Sequence, residues 1–351
     1  MAKKQHIGPS GLIVVDKPAG VTSHDVVSMV RRLAGTRKVG HAGTLDPMAT
    51  GVLILGVGKA TKLLTWVVAE SKTYTATIRL GISTVTDDAE GEVTAVADAE
   101  AVAVISQEQI LAEVQNLTGE IMQVPTAVSA VKVDGVRSYA RVRGGEDVQL
   151  QARPVSVSEF TVHSVRHTVA DLTNQAESAS VIDVEVTVSC SAGTYIRALA
   201  RDMGAALGIG GHLTALRRTS IGDISVDSAH QMTELEQLRE QGQPMPLLPM
   251  KDAVAALFAV REVSATEATD LSNGRRISPS QELTAGAYGT SATKVATGAH
   301  QQGYPAANML TAAIAPNGAP VALLENQKFR GEPVAAPVLV FEAGQKFEDV
   351  S

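Results

Sequence analysis

Between Lys72 and Gly81 the chain reads KTYTATIRLG, with Tyr74, Ala76, Ile78 and Leu80 on one face of a strand and Thr73, Thr75, Thr77 and Arg79 on the other. DVEVTVSC repeats the alternation, aligning Val184, Val186 and Val188 with Cys190. GLIVV (11–15) and GVLILG (51–56) are apolar on both faces and predict short buried strands. Helical spacing takes over at Val26, Val27, Val30 and Leu33, with Ser23 as the expected N-cap and Gly35 as the stop. Ser106 and Gln109 form a capping-box pattern ahead of Ile110, Leu111, Val114 and Leu117. GTYIRALARDMGAALG turns from strand into helix, with Tyr195, Leu199, Met203 and Leu207 as expected buried positions. Strands and helices mix without a regular βαβ repeat, which predicts an α+β fold with a mixed, largely antiparallel sheet.

The proline-rich QPMPLLP (243–249) reads as a domain junction, so 1–248 is the expected main domain and 249–351 a smaller β-rich one. Within the latter, LSNGRRI and APNGAPVALLENQ suggest short strands with Gly-rich turns. The small-residue stretch 284–307 predicts a mobile insertion, and HTVADLTNQAESASV from His167 is a weaker candidate. No internal repeat is found.

Charge becomes informative once it is divided along the chain. The whole protein of 351 residues carries −7, yet residues 1–80 hold 11 Lys+Arg against 4 Asp+Glu. Phosphate contact needs local cations rather than a high overall pI, so the N-terminal part is the expected face for a polyanion. A single cysteine, Cys190, excludes a disulfide framework and a multi-cysteine zinc site. No apolar run approaches about 18 residues, and no apolar segment follows the N-terminal lysines, so the expectation is a cytoplasmic protein without membrane contact.

Several chemistries fail on inspection. Gly58-Lys59 suggests a phosphate-binding loop, but Leu53 stands where the upstream glycine is required and Ala60 where Ser/Thr is required. Apart from His163 and His167, four positions apart, the histidines are dispersed, the H-x-E deaminase signature is missing, and no GxSxG elbow occurs. Neither a metal nor a cofactor is expected.

HAGTLDPMATGVLILGVG (41–58) places one carboxylate, Asp46, among small residues and loop formers. An Asp-Pro pair by itself is commonly a turn or cap. Three further features point to a site. His41 lies on the expected loop, Tyr74 on a nearby apolar strand face, and Arg197 at the start of a helix, where the macrodipole disfavours a cation lacking a partner.

GLIVVDKPAGVTSHDVV, KVGHAGTLDPMATGVLILGVGKATKL, KTYTATIRLGISTVTDDAEG, TGEIMQVPTAVSAVKVDGVRSYARVRGG and SCSAGTYIRALARDMG with LRRTSIG follow one another from about Gly11 to Gly222. In order and content these blocks resemble those of TruB-type tRNA pseudouridine-55 synthases, and the last hundred residues more loosely resemble a PUA-like RNA-binding module. The resemblance implies a pseudouridine synthase fold and a bacterial, cofactor-free isomerase that flips uridine 55 out of the tRNA T loop. It implies Asp46 as the catalytic aspartate, Tyr74 as the tyrosine against the base and Arg197 as the arginine paired with Asp46. His41, Tyr195, Leu216, Lys17 and Lys132 would serve substrate binding, with the T arm of tRNA as partner to a monomer. Val128 departs from the family pattern, where an aromatic residue is common, and this bears on packing near Lys132. A catalytically silent RNA-binding protein on the same scaffold would be expected to lack Asp46, Tyr74 or Arg197, and all three are present.

Overall fold

A computed structural model describes residues 8–126, 150–172, 178–279 and 309–348, and the backbone of the short strands Lys132–Val133 and Val136–Arg137. The fold is α+β with a mixed, largely antiparallel sheet. It divides into two compact units, one of residues 1–46, 51–70 and 221–351, the other of 47–50 and 71–220.

The first unit is built on strand β1 (Gly11–Lys17), helix α1 (Ser23–Ala34), strand β2 (Val39–Ala42) and strand β3 (Thr50–Val57). β3 runs antiparallel to β1, Gly11 facing Val57 and Lys17 facing Gly51, and pairs antiparallel with β2 as well. His230–Gln231 adds a parallel pairing to β1, and Leu248–Pro249 an antiparallel one. The expected junction thus becomes a sheet edge. α1 lays Val26, Val27, Val30 and Leu33 onto Ile13, Val15, Leu53 and Leu55, and Gly35 closes it in the left-handed region at φ +63°. The N-cap is Thr22 rather than Ser23. Thr22 and Asp25 exchange the reciprocal bonds of a capping box, which leaves the Ser23 hydroxyl available for a different partner.

A second sheet in this unit has the order Ala259–Glu262, Leu310–Ile314, Pro320–Phe329, Glu332–Val340, with a parallel first pairing and antiparallel others. APNGAPVALLENQ forms the expected Gly-containing turn and strand, turning at Gly318 with φ +79° into Pro320–Phe329, which pairs antiparallel with Leu310–Ile314. LSNGRRI does not form a strand. Leu271 and Ser272 end the helix Ala265–Ser272, whose Ser264–Glu267 capping box outweighs a weak apolar pattern. Phe258, Leu310, Leu323 and Phe341 share one core with Leu12, Val52, Ile54 and Trp66, the Trp66 and Phe258 rings meeting edge to face at 5.5 Å. The expected insertion at 284–307 lies outside the described residues.

The second unit is antiparallel. Strand β4 (Lys72–Leu80) pairs with Ser178–Cys190, which pairs with Arg153–Asp171, which pairs with Gly119–Gln123. Gly211–Ile221 lies on the other side of β4. The period-2 reading holds on both central strands: Tyr74, Ala76, Ile78 and Leu80 are buried, as are Val184, Val186, Val188 and Cys190. His167–Asp171 and Ser178–Ser180 continue paired strands rather than forming an insertion, with 173–177 outside the described residues. Helix Gln107–Asn116 carries the expected Ser106–Gln109 capping box and buries Ile110 and Val114, but Leu111 faces solvent.

Candidate active site

In the first unit the loop between β2 and β3 carries Asp46. Gly43 enters it at φ +72°, a conformation glycine adopts without steric cost. Leu45 and Ala49 are buried, whereas Asp46 is half-buried. Ser23 fixes the loop from α1: Leu45 N–H donates to Ser23 Oγ at 2.9 Å, and Ser23 Oγ donates to the Leu45 carbonyl at 3.0 Å. His41 is not on the loop but in β2, opposite Leu55, and its ring meets His24 edge to face at 5.8 Å. Lys17 ends β1 fully buried, its Nζ donating to the Pro18 carbonyl at 2.9 Å.

In the second unit Tyr74 is 7% exposed on β4, opposite Val188. Arg197 is the second residue of helix Ile196–Ala206 and is buried. A guanidinium there opposes the helix dipole, and the structure supplies an anion. Arg197 Nη1 donates to Asp88 Oδ2 at 3.2 Å and to the Thr86 carbonyl at 2.8 Å. Asp88 is itself held: its carboxylate accepts from the Thr86 hydroxyl and from Glu90 N–H at 3.1 Å, and its carbonyl accepts from Thr84 Oγ1 at 2.8 Å. The adjoining Asp87 has φ +59°, an uncommon backbone for a residue with a Cβ, and its carbonyl accepts from Leu213 N–H at 3.0 Å. Burial pushes the Asp87 carboxyl above its usual range against the pull of Arg201, 3.4 Å away. His212 lies beneath, its Nδ1 2.9 Å from the Ile82 carbonyl, and desolvation holds its pKa below the ordinary 6.5.

Tyr195 is half-buried at the N-cap of the Arg197 helix, and the buried Gln123 amide brackets it. Tyr195 N–H donates to Gln123 Oε1 at 2.8 Å, and Gln123 Nε2 donates to the Tyr195 carbonyl at 3.1 Å. Leu216 is buried on the strand Gly211–Ile221. The Lys132 side chain lies outside the described residues.

The expected site residues therefore divide between the units: Asp46, His41 and Lys17 in the first, and Tyr74, Tyr195, Arg197 and Leu216 in the second. Asp88 and Gln123 are absent from the sequence reading. The acidic doublet in TVTDDAEG was a usable signal for Asp88, whereas a lone glutamine in EIMQVP offers none. Among the described residues no group of three or more His, Cys, Asp or Glu could hold a metal ion, and no helix is long and apolar enough to cross a membrane.

Residues 31–196 match the family model described as TruB family pseudouridylate synthase (N terminal domain), and 197–255 match the tRNA pseudouridylate synthase B C-terminal domain. The chain is 55% identical over 332 residues to the tRNA pseudouridine synthase B of Arthrobacter sp. (strain FB24), covering 95% of this chain and 96% of that one. With the tRNA pseudouridine synthase B of Streptomyces coelicolor (strain ATCC BAA-471 / A3(2) / M145) it shares 52% over 281 residues, covering 80% and 89%. Among solved structures, a Cbf5-Nop10-Gar1 complex aligns with TM-score 0.63 and 23% identity over 95% of this chain and 85% of that chain. An H/ACA RNP bound to a substrate RNA containing 2'-deoxyuridine aligns with TM-score 0.61 and 21% identity over 96% and 87%. At those identities the structures speak to the fold.

Proposed function

This chain belongs to the TruB family of pseudouridylate synthases and is an isomerase, and on that premise we propose that it converts uridine 55 in the T loop of tRNA to pseudouridine. The reaction breaks the N1–C1′ bond, turns the uracil and rejoins it through C5, with no net redox change, so it runs without a cofactor. It needs an ionised carboxylate against the nucleoside, a dry pocket that keeps the detached base, and a group to assist loss of the C5 proton.

The observation that carries this reading is the state of Asp46: a half-buried acidic residue on a loop whose preceding residue is pinned at both its N–H and its carbonyl. A reagent has to be both accessible and fixed. Tyr74 would stack on the base and Arg197 would keep the aspartate charged, since a guanidinium opposes the upward shift that an apolar base imposes on a carboxyl. Asp88 would hold Arg197 ready for that task. Flipping a base from a folded loop costs about a few kcal/mol, and stacking on an aromatic ring returns roughly 1–3 kcal/mol. His41 would fill the vacated space, and Tyr195, Leu216, Lys17 and Lys132 would line the nucleotide. Residues 1–248 would carry catalysis and 249–351 would add RNA contact as a PUA-like module, in a cytoplasmic monomer.

The test is incubation of purified protein with unmodified tRNA transcript, followed by chemical mapping of pseudouridine. Product at position 55 is expected, and a T loop without product refutes the proposal. Asp46→Asn, nearly isosteric but not a carboxylate, should bind tRNA within a few-fold of wild type and form no product. Affinity should fall steeply with salt, as expected where the basic N-terminal part neutralises phosphates.

A further inference from the structure

Leu45 immediately precedes Asp46, and one buried hydroxyl 22 positions away takes both its N–H and its carbonyl. Those two groups flank the Leu45 Cα, so the hydroxyl acts as a one-atom strand partner. The Leu45 carbonyl shares its peptide plane with the Asp46 nitrogen and Cα, so fixing that plane leaves the Asp46 φ as the remaining backbone rotation that sets where its side chain departs. On the other side, Pro47 confines Asp46 to extended backbone. The hydroxyl is equally constrained: Ser23 is 2% exposed in the first turn of α1, where the Thr22–Asp25 capping box anchors the helix start. A serine that only capped α1 would direct its oxygen to the helix N–H groups. Here Thr22 does that, and Ser23 turns to the loop.

We propose that Ser23 is a positioning residue for the Asp46 carboxylate, holding the Leu45–Asp46 peptide in the orientation the reaction requires. The inference rests on Asp46 being the reactive carboxylate. Loss of the clamp lets the peptide plane rotate, and a carboxylate displaced by about 1 Å reacts up to about 100-fold more slowly without any change in how RNA docks.

The full-length chain is tested with unmodified tRNA transcript under single-turnover conditions, enzyme in excess, for wild type, Ser23→Ala, Ser23→Cys and Asp46→Asn. For Ser23→Ala the saturating rate constant should fall about 10- to 100-fold while half-saturation moves less than about 3-fold. Ser23→Cys, whose thiol is a weaker donor and acceptor of similar size, should recover part of the rate. A saturating rate within about 2-fold of wild type for Ser23→Ala overturns the proposal, as does a loss confined to product yield or half-saturation, which marks a smaller folded fraction. If Ser23→Ala does not fold, Ser23→Gly, which also removes the hydroxyl, decides: a slower saturating rate with unchanged half-saturation supports positioning, and a wild-type rate refutes it. Failure of the parent reading looks different. Asp46→Asn would then form pseudouridine at the wild-type rate, whatever the serine variants do.

Discussion

Removing the charge of Asp88 should loosen the second unit by an amount the pair geometry sets, and removing Arg197 as well should cost little more. The two side chains are 3% and 7% exposed, with Arg197 Nη1 3.2 Å from Asp88 Oδ2. Deleting one member of a buried ion pair leaves an uncompensated charge and costs about 3–5 kcal/mol. Asp88→Asn keeps an oxygen able to accept from Glu90 N–H, and Arg197 keeps the Thr86 carbonyl, so the lower end of about 3 kcal/mol applies. Arg197→Met leaves Asp88 accepting from Thr86 and Glu90, and a similar loss is expected. The double variant strands neither member of this pair, so its loss should fall short of the sum by about 2–3 kcal/mol. The assay is native-state hydrogen exchange of the amides in helix Ile196–Ala206, because the single tryptophan, Trp66, sits in the first unit and does not report on the second. Additivity of the two single variants within about 0.5 kcal/mol would show that the charges do not depend on each other.

His212 is held below its ordinary pKa of 6.5 chiefly by burial, so the unfolded chain binds more protons as pH falls below that value. Its contribution is complete above 6.5 and is lost on acidification below it; His212→Asn should therefore flatten the stability profile between about pH 7 and pH 5, and identical slopes for both proteins would refute this. Burial pushes the Cys190 thiol up to about 11, so native protein should resist alkylation at about pH 8 and react on unfolding; rapid native labelling would contradict that assignment. Deleting residues 249–351 strips Phe258, Leu310, Leu323 and Phe341 from the core around Trp66, and the truncated chain should show red-shifted tryptophan emission; a wild-type spectrum would mean that residues 1–248 close their own core.

The sheet of the second unit was legible because its central strands expose one kind of face at a time, and period-2 alternation survives wherever that holds, as in β4. β3 was legible for the opposite reason, being buried from Gly51 to Val57. The N-cap of α1 was misplaced by one position because Thr22 and Ser23 both carry a hydroxyl, although the Thr-x-x-Asp spacing to Asp25 favoured Thr22. His41 was expected in a loop because β2 is only four residues long and rests on pairing with β3 rather than on its own pattern. Asp46, Tyr74 and Arg197 stood out by residue type and by the motifs around them. For Asp88 the acidic doublet marked the residue but not its role, since the arginine that gives it meaning lies 109 positions later and no local pattern encodes that distance.

The interruption of the first unit by residues 71–220 has a consequence for the protein's birth on the ribosome. β1 and β3 leave the exit tunnel early as largely apolar strands, but Phe258, Leu310 and Phe341, which share a core with Trp66 and its neighbours, are made only after the whole of 71–220. At about 5–20 residues per second, the intervening 150 residues alone impose a delay of roughly 8–30 s. The inserted unit, contiguous apart from Pro47–Thr50, can complete its antiparallel sheet during that interval, whereas the enclosing unit has to wait until Phe341 has been made. The nascent chain therefore matures from its middle outward, and its N-terminal strands are the segment that most needs shielding by a chaperone in the meantime.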